Sequence, residues 1–269
     1  MRLQIEHETH YGFDAPANHS VQYLRLTPRA DACQRTIEWS VTAPGRLAPW
    51  TDGFDNTGHV SFLDGPHEEI SVQVRGVVET WDTNGVVPDD DGLPPRIFLR
   101  ETPFTGVTDG IAKFAGDFQG AIDTDGPLAG MHALMGGIAD TVTYEAGATT
   151  VETDAAHALD ACRGVCQDHA HLFIACARVL GVPARYVSGY LLAGRDNDSH
   201  LASHAWAEAH IGGLGWVSFD PTNRQSATEG YVRLAIAGDY LGASPIRGVR
   251  EGGGTESLNV RVQVSQQQS

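Results

Sequence analysis

The chain has 269 residues, 41% hydrophobic and 19% charged, an ordinary balance for a soluble globular protein with material for one large domain or two small ones. Its 18 Lys and Arg against 34 Asp and Glu give a formal charge of −16, so nucleic acid and anionic membranes are not expected partners. No uninterrupted apolar run approaches the roughly 20 residues of a membrane span, and residues 1–7 alternate, with Glu6 and His7 too early for a secretory signal; a cytoplasmic location is expected.

The N-terminal part reads as strands. Leu3, Ile5 and His7 alternate with polar neighbours, and residues 21–26, 36–41 and 70–75 do the same. Turn material separates these runs at Thr51-Asp52-Gly53, at residues 55–58 and at Asp64-Gly65-Pro66. An antiparallel, sandwich-like β-module over residues 1–95 is expected, closing in the acidic linker Asp89-Asp90-Asp91-Gly92. Residues 96–269 then form a second unit of helices packed on an antiparallel sheet, an α+β arrangement.

Helical periodicity marks residues 111–118 and 128–143, the latter with Met131, Leu134, Met135 and Ile138 in register. Thr153 or Asp154 caps a third helix. A fourth follows Cys166, with Ala170, Phe173, Ile174, Ala177 and Leu180 as its buried face and Gly181-Val182-Pro183 as its stop. Strands are expected at 184–192, 204–211 and 215–220, and a last one at 256–264, free to return to a sheet. Gln267 and Gln268 read as a disordered end.

The four cysteines, Cys33, Cys162, Cys166 and Cys176, are too few for a disulfide framework and read as free thiols. Cys166 stands at a helix start, in Gly164-Val165-Cys166-Gln167-Asp168. A free thiol with a pKa of roughly 8.5 is little ionised at neutral pH. Unpaired N–H groups of a first helical turn stabilise an anion, and offer donors where an oxyanion would form. Gly164 suits the sharp entry into the helix.

His204, Trp206 and Glu208 share one face of their strand by alternation. Gly212-Gly213-Leu214 reads as a three-residue hairpin loop, which sets Ile211 opposite Gly215. Asp220 then lies on the His204 face, displaced diagonally at roughly 7–8 Å and within side-chain reach. A Cys, then a His, then an Asp in this geometry are the parts of a nucleophilic triad: thiolate, general base and acid, and orienting carboxylate.

Competing readings exist for each residue. A cysteine in a helical run is otherwise a small buried hydrophobe, and Cys162 and Cys176 are read as packing residues. Cys162, Cys166, His169 and His171 are close in sequence, but Cys-x3-Cys-x2-His-x-His matches no zinc pattern. His169 and His171 are read as surface residues or as supports behind the site, and Asp168 as a complement to the helix N-terminus. Tyr190, Trp206, Trp216 and Tyr240 are candidates for a cleft or for core.

The segments GVCQDHAHLF, SHAWAE and WVSFDPT, in that order, resemble the transglutaminase-like superfamily on a papain-like core. The opening Met1-Arg2-Leu3, His7, Tyr11-Gly12-Phe13 and Arg25-Leu26-Thr27-Pro28-Arg29 resemble the N-terminal β-module of bacterial transglutaminase-like proteins. The tail, with Asp239, Arg247 and Gly252-Gly253-Gly254, resembles the same subgroup, and Asp239 and Arg247 are candidates for shaping the site. The resemblance implies Cys166 as nucleophile, His204 as base and Asp220 as orienting carboxylate, acting on an amide or peptide carbonyl through a thioester. Water as acceptor makes a cysteine protease or amidase; an amine acceptor makes a transglutaminase. A non-catalytic binding or scaffold module of the same fold is the third reading, and the presence of all three residues argues against it. No calcium-loop pattern is present, and no metal or cofactor is expected. A protein or peptide substrate is expected.

Overall fold

The N-terminal alternation does make strands, but much longer ones than turn chemistry implied. In the computed structural model, which describes residues 1–88, 92–192 and 203–267, β1 is Arg2–Leu24 and β4 is Thr57–Thr80, with β2 (Gln34–Thr42) and β3 (Arg46–Thr51) between them. β1 and β4 are antiparallel nearly end to end, from Arg2↔Glu79 to Leu24↔His59. Asp64-Gly65-Pro66 therefore does not reverse the chain, contrary to its turn-like composition. The register slips around Ala17, and Gly65 takes φ +89° there, so these residues are absorbed as a bulge. Asp89, Asp90, Asp91 and Gln268 lie outside the described residues.

After β5 (Val86–Val87) and a 3-10 turn at Pro95–Leu99, helices α1 (Asp109–Gly116), α2 (Gln119–Asp125) and α3 (Pro127–Thr141) follow. β6 (Thr143–Tyr144) leads through α4 (Ala155–Ala161) to β7 (Arg163–Gly164). Asp154 caps α4, accepting from the His157 N–H at 2.9 Å. Then come α5 (Cys166–Val179), β8 (Ala184–Leu191), β9 (Ser203–Ile211), β10 (Gly215–Phe219) and β11 (Tyr231–Ala237). The chain ends with α6 (Tyr240–Ala243), β12 (Ile246–Gly252) and β13 (Glu256–Gln266).

The strands form two antiparallel sheets. One has the order β12-β1-β4-β2, with β13 also on β1 and β3 on β4; the other is β11-β8-β9-β10-β5. The last strands thus cover the free edge of β1, β13 along Leu3 to Phe13 and β12 along Ala17 to Leu24. Gln267, read from sequence as part of a disordered end, donates to the Arg2 carbonyl at 2.9 Å. Leu3, Ile5, Leu24 and Val72 of the first sheet pack against Tyr190, Val232 and Leu234 of the second, so the second sheet is the other layer of the N-terminal sandwich. The helices cover the opposite face of that second sheet. The whole is an α+β fold.

α5 is buried from Gln167 to Arg178 on every side, not along one stripe as its periodicity implied. It lies between the other helices and the sheet, where Ala170, Ala175 and Ala177 share a core with Ala205, Ala207 and Ala209 of β9. Small residues on both surfaces let backbone approach backbone closely. Arg178 fastens its C-terminal end, donating to the carbonyls of Phe98 at 2.8 Å, Ala184 at 3.0 Å and Gly238 at 2.8 Å. Gly181, at φ +75°, ends the helix.

Candidate active site

α5 starts at Cys166 because Val165 is extended, at φ −114° and ψ −177°, and Gly164 is held in the parallel β6–β7 pair. Asp168 fixes this entry. Its Oδ2 accepts from the Val165 N–H at 2.7 Å and from the Thr149 hydroxyl at 2.6 Å. Burial pushes its carboxyl above the ordinary range, and these two bonds oppose the rise. A Cβ on Gly164 would stand 2.7 Å from that oxygen and 2.8 Å from the Asp168 Cβ, so only glycine allows the approach. Gly164→Ala is expected to lower unfolding stability by about 1–3 kcal/mol through overpacking. Chemical denaturation checks this, and wild-type stability would reject the close-packing account.

The Cys166 sulfur faces the His204 ring closely enough to raise its pKa, and the ring Nε2 donates to Asp220 Oδ2 at 2.6 Å. Burial disfavours the imidazolium, but Asp220 and Cys166 outweigh it and raise the His204 pKa to about 10. Asp220 is buried too, and is held below the usual carboxylate range by His204, Asn223 and Tyr231. Oδ2 accepts from Asn223 Nδ2 and from the Tyr231 hydroxyl, both at 2.7 Å, and Oδ1 from the Asn223 N–H at 3.2 Å. Trp206 stacks on the His204 ring at 6.1 Å. The hairpin register runs from Gly215↔Ile211 to Phe219↔Ala207, and the chain then turns so that Asp220 meets His204 diagonally.

The structure thus brings together Cys166, His204 and Asp220. Asn223 and Tyr231 had no motif to flag them. Asn223 had a local signal, since Asp220-Pro221-Thr222-Asn223 carries turn residues at the first two positions of a type I turn. Tyr231 arrives from a different strand.

The other candidates lie elsewhere. His169 is buried, not on the surface: its Nδ1 meets the Thr222 hydroxyl at 2.8 Å and its Nε2 the Val142 carbonyl at 3.0 Å, tying α5 to the turn after Asp220. His171 is fully buried, stacked on Phe104, and its Nε2 accepts from the Tyr240 N–H at 3.1 Å. Burial lowers its pKa to about 3, so it is neutral at physiological pH. Both histidines sit on a helix with no exposed side, which is why the surface expectation fails. Cys176 packs in the core; Cys162 is exposed rather than packed, because it ends α4 in a left-handed turn at φ +52°. Tyr190, Trp206 and Trp216 are core residues and Tyr240 lines the cleft. Asp239 caps α6 through the Gly242 N–H, and Arg247 reaches the Leu241 carbonyl.

The thiol opens into a cleft of about 260 Å³. This lies just below the roughly 300–1,000 Å³ of small-molecule pockets, room for a side chain and a short stretch of backbone. Val165, Tyr186, Ser188 and Tyr240 form the core side of it, and His7, Thr9 and Tyr11 of β1 the other. Among the described residues, no group of His, Cys, Asp and Glu is arranged to hold a metal, and no helix is long and apolar enough to cross a membrane.

Comparison with known proteins covers both sheets. The transglutaminase-like superfamily model matches residues 113–221, and the bacterial transglutaminase-like N-terminal region matches residues 3–79. An uncharacterised protein of Mycobacterium leprae is 32% identical over 284 aligned residues, covering 98% of each chain. One of Mycobacterium tuberculosis is 29% identical over 276 residues, covering 92% of this chain and 87% of that one. A crystal structure from Cytophaga hutchinsonii, described as a "putative cysteine protease", shares the fold with a TM-score of 0.80 at 24% identity, over 98% of this chain and 90% of that one.

Proposed function

The chain belongs to the transglutaminase-like superfamily, with a bacterial transglutaminase-like N-terminal region, and from that premise we propose that it is a cysteine-dependent acyl-transfer enzyme acting as a protease or amidase. The observation that carries this reading is the placement of Cys166 beside the His204 ring, itself hydrogen-bonded to the buried Asp220, in the lining of one cleft. The raised His204 favours a proton on the imidazole beside the sulfur. The thiolate attacks an amide carbonyl, the oxyanion forms beside the first-turn N–H groups of α5, and His204 passes its proton to the departing amine. Water then cleaves the thioester, with His204 as base. Asp220 holds the ring in place and stabilises its charge.

Hydrolysis stands ahead of amine transfer because no Asp or Glu lines the cleft among the described residues, so an incoming lysine ammonium would find no counter-ion there.

Alkylation with limiting iodoacetamide and peptide mapping tests the nucleophile. Cys33 and Cys176 are pushed up by burial, and Cys162 is the exposed reference thiol. Cys166 is expected to label first, ahead of Cys162. Labelling of Cys162 before Cys166 would reject an activated thiol. Acyl-enzyme trapped from a peptide library, followed with and without an added amine, separates hydrolysis from transfer.

A further inference from the structure

Two large apolar side chains stand exposed in the cleft that holds the thiol. Leu258 is 57% exposed and Val260 42%, on a strand whose other face carries Ser257, Asn259, Arg261 and Gln263. Alternation puts Leu258, Val260, Val262 and Val264 on one side of β13. The last two of these pack into the core between the sheets. The first two run past that core into the cleft, opposite Tyr11 and Thr9 of β1. The apolar strip is therefore continuous from core to cleft, and its uncovered end lines the cleft that Cys166 also lines. Ile246 and Pro245 extend it.

The polar members of this wall carry no charge. His7 is buried, with Nδ1 on the Tyr190 hydroxyl at 2.7 Å and Nε2 on the Thr9 hydroxyl at 2.8 Å. Burial lowers its pKa to about 4, so the ring is neutral at physiological pH. Among the described residues no Asp, Glu, Lys or Arg lines the cleft. A charged substrate group lying against the β1–β13 wall would shed water without gaining a counter-ion from that wall, whereas an apolar one would cover Leu258 and Val260.

We propose that the β1–β13 face at Tyr11, Leu258 and Val260 is the acyl-donor subsite, taking an uncharged, apolar stretch of polypeptide next to the attacked carbonyl, with Leu258 setting that preference. The N-terminal sheet and the last strand thereby select the substrate that the helix-borne thiol attacks. This rests on Cys166 being the acylated nucleophile.

Two activated esters test it: p-nitrophenyl butyrate, with an apolar acyl group, and mono-p-nitrophenyl succinate, with an anionic one. In each the Cys166 sulfur bonds to the carbonyl carbon, the ester C–O bond breaks, and p-nitrophenolate leaves with the electron pair. Butyrate is expected to acylate Cys166 about tenfold or more faster than succinate. Leu258→Lys supplies a cation at the exposed wall and is expected to shift that ratio by about tenfold or more toward succinate. Leu258→Asn, polar but uncharged, should weaken the butyrate preference without favouring succinate. The ratio within each variant cancels differences in folded fraction and thiol reactivity. Equal rates for the two esters in the wild type, or a ratio unmoved by Leu258→Lys, would overturn the subsite while leaving the nucleophile standing. Failure of Cys166 to react with either ester, together with alkylation no faster than Cys162, would overturn both.

Discussion

His204→Ala is expected to slow acylation of Cys166 by an acyl p-nitroanilide about 10²–10⁴-fold. The ring acts twice in that step, stabilising the thiolate as a paired cation and delivering a proton to the leaving nitrogen. A p-nitrophenyl ester of the same acyl group leaves as a stable phenolate and needs only the first of these actions. The variant should therefore lose more on the anilide than on the ester, and equal losses would deny His204 its role as acid. The pH profile follows from the same proton. With His204 raised to about 10, the imidazolium persists through neutral pH and is lost as pH rises through that value. The alkaline limb of kcat/KM for the anilide should fall there. Asp220→Asn removes a charge that favours the imidazolium, while burial still opposes it, so the limb should move to lower pH. An unmoved limb would show that Asp220 does not set the proton affinity of the ring.

What was legible in the sequence was local. Gly164, Cys166 and the helix after them are contiguous, and the Gly212-Gly213-Leu214 loop fixes a register that carries His204 toward Asp220. The far wall of the cleft was not legible. His7 pairs with Val262 and Tyr11 with Leu258, across nearly the whole chain, and no short-range pattern encodes which strand edge a distant strand will cover. Asp64-Gly65-Pro66 misled because glycine and proline serve a bulge as well as a turn. Of the two readings of His169 and His171, surface residues or supports behind the site, the surface one fails because polarity implies exposure only where a helix has an exposed side, and α5 has none.

Glu208→Ala is expected to be the most destabilising change outside the site, at about 3–5 kcal/mol. Glu208 is fully buried on β9, two alternations beyond His204 on the same face. Its Oε2 accepts from Arg185 Nε at 2.8 Å and from Arg233 at 3.0 Å, and Arg233 also reaches Asp31. Burial alone would raise the Glu208 carboxyl, but Arg233 and Arg185 hold it below its ordinary range, so it is an anion between two cations. Arg185 additionally lies 3.8 Å over the Trp216 ring. Gln34 completes the junction, donating to the Arg233 carbonyl and accepting from the Arg233 N–H, each at 2.8 Å. Removing the carboxylate takes away the anion between two guanidinium groups in a dry interior, and with Asp31 still on Arg233 their desolvation is only partly offset. At roughly 2–4 °C per kcal/mol for chains of about this size, Tm should fall by about 6–20 °C. Glu208→Gln keeps hydrogen-bonding atoms but not the charge, and should fall between the two. The cluster joins Gln34 of β2 and Asp31 just before it to β8, β9 and β11 of the second sheet, so the loss should loosen the seam between the two sheets that wall the cleft. A thermal melt within 2 °C of the wild type, less than about 1 kcal/mol, would mean the two arginines find other partners and that this ion cluster does not hold the sheets together.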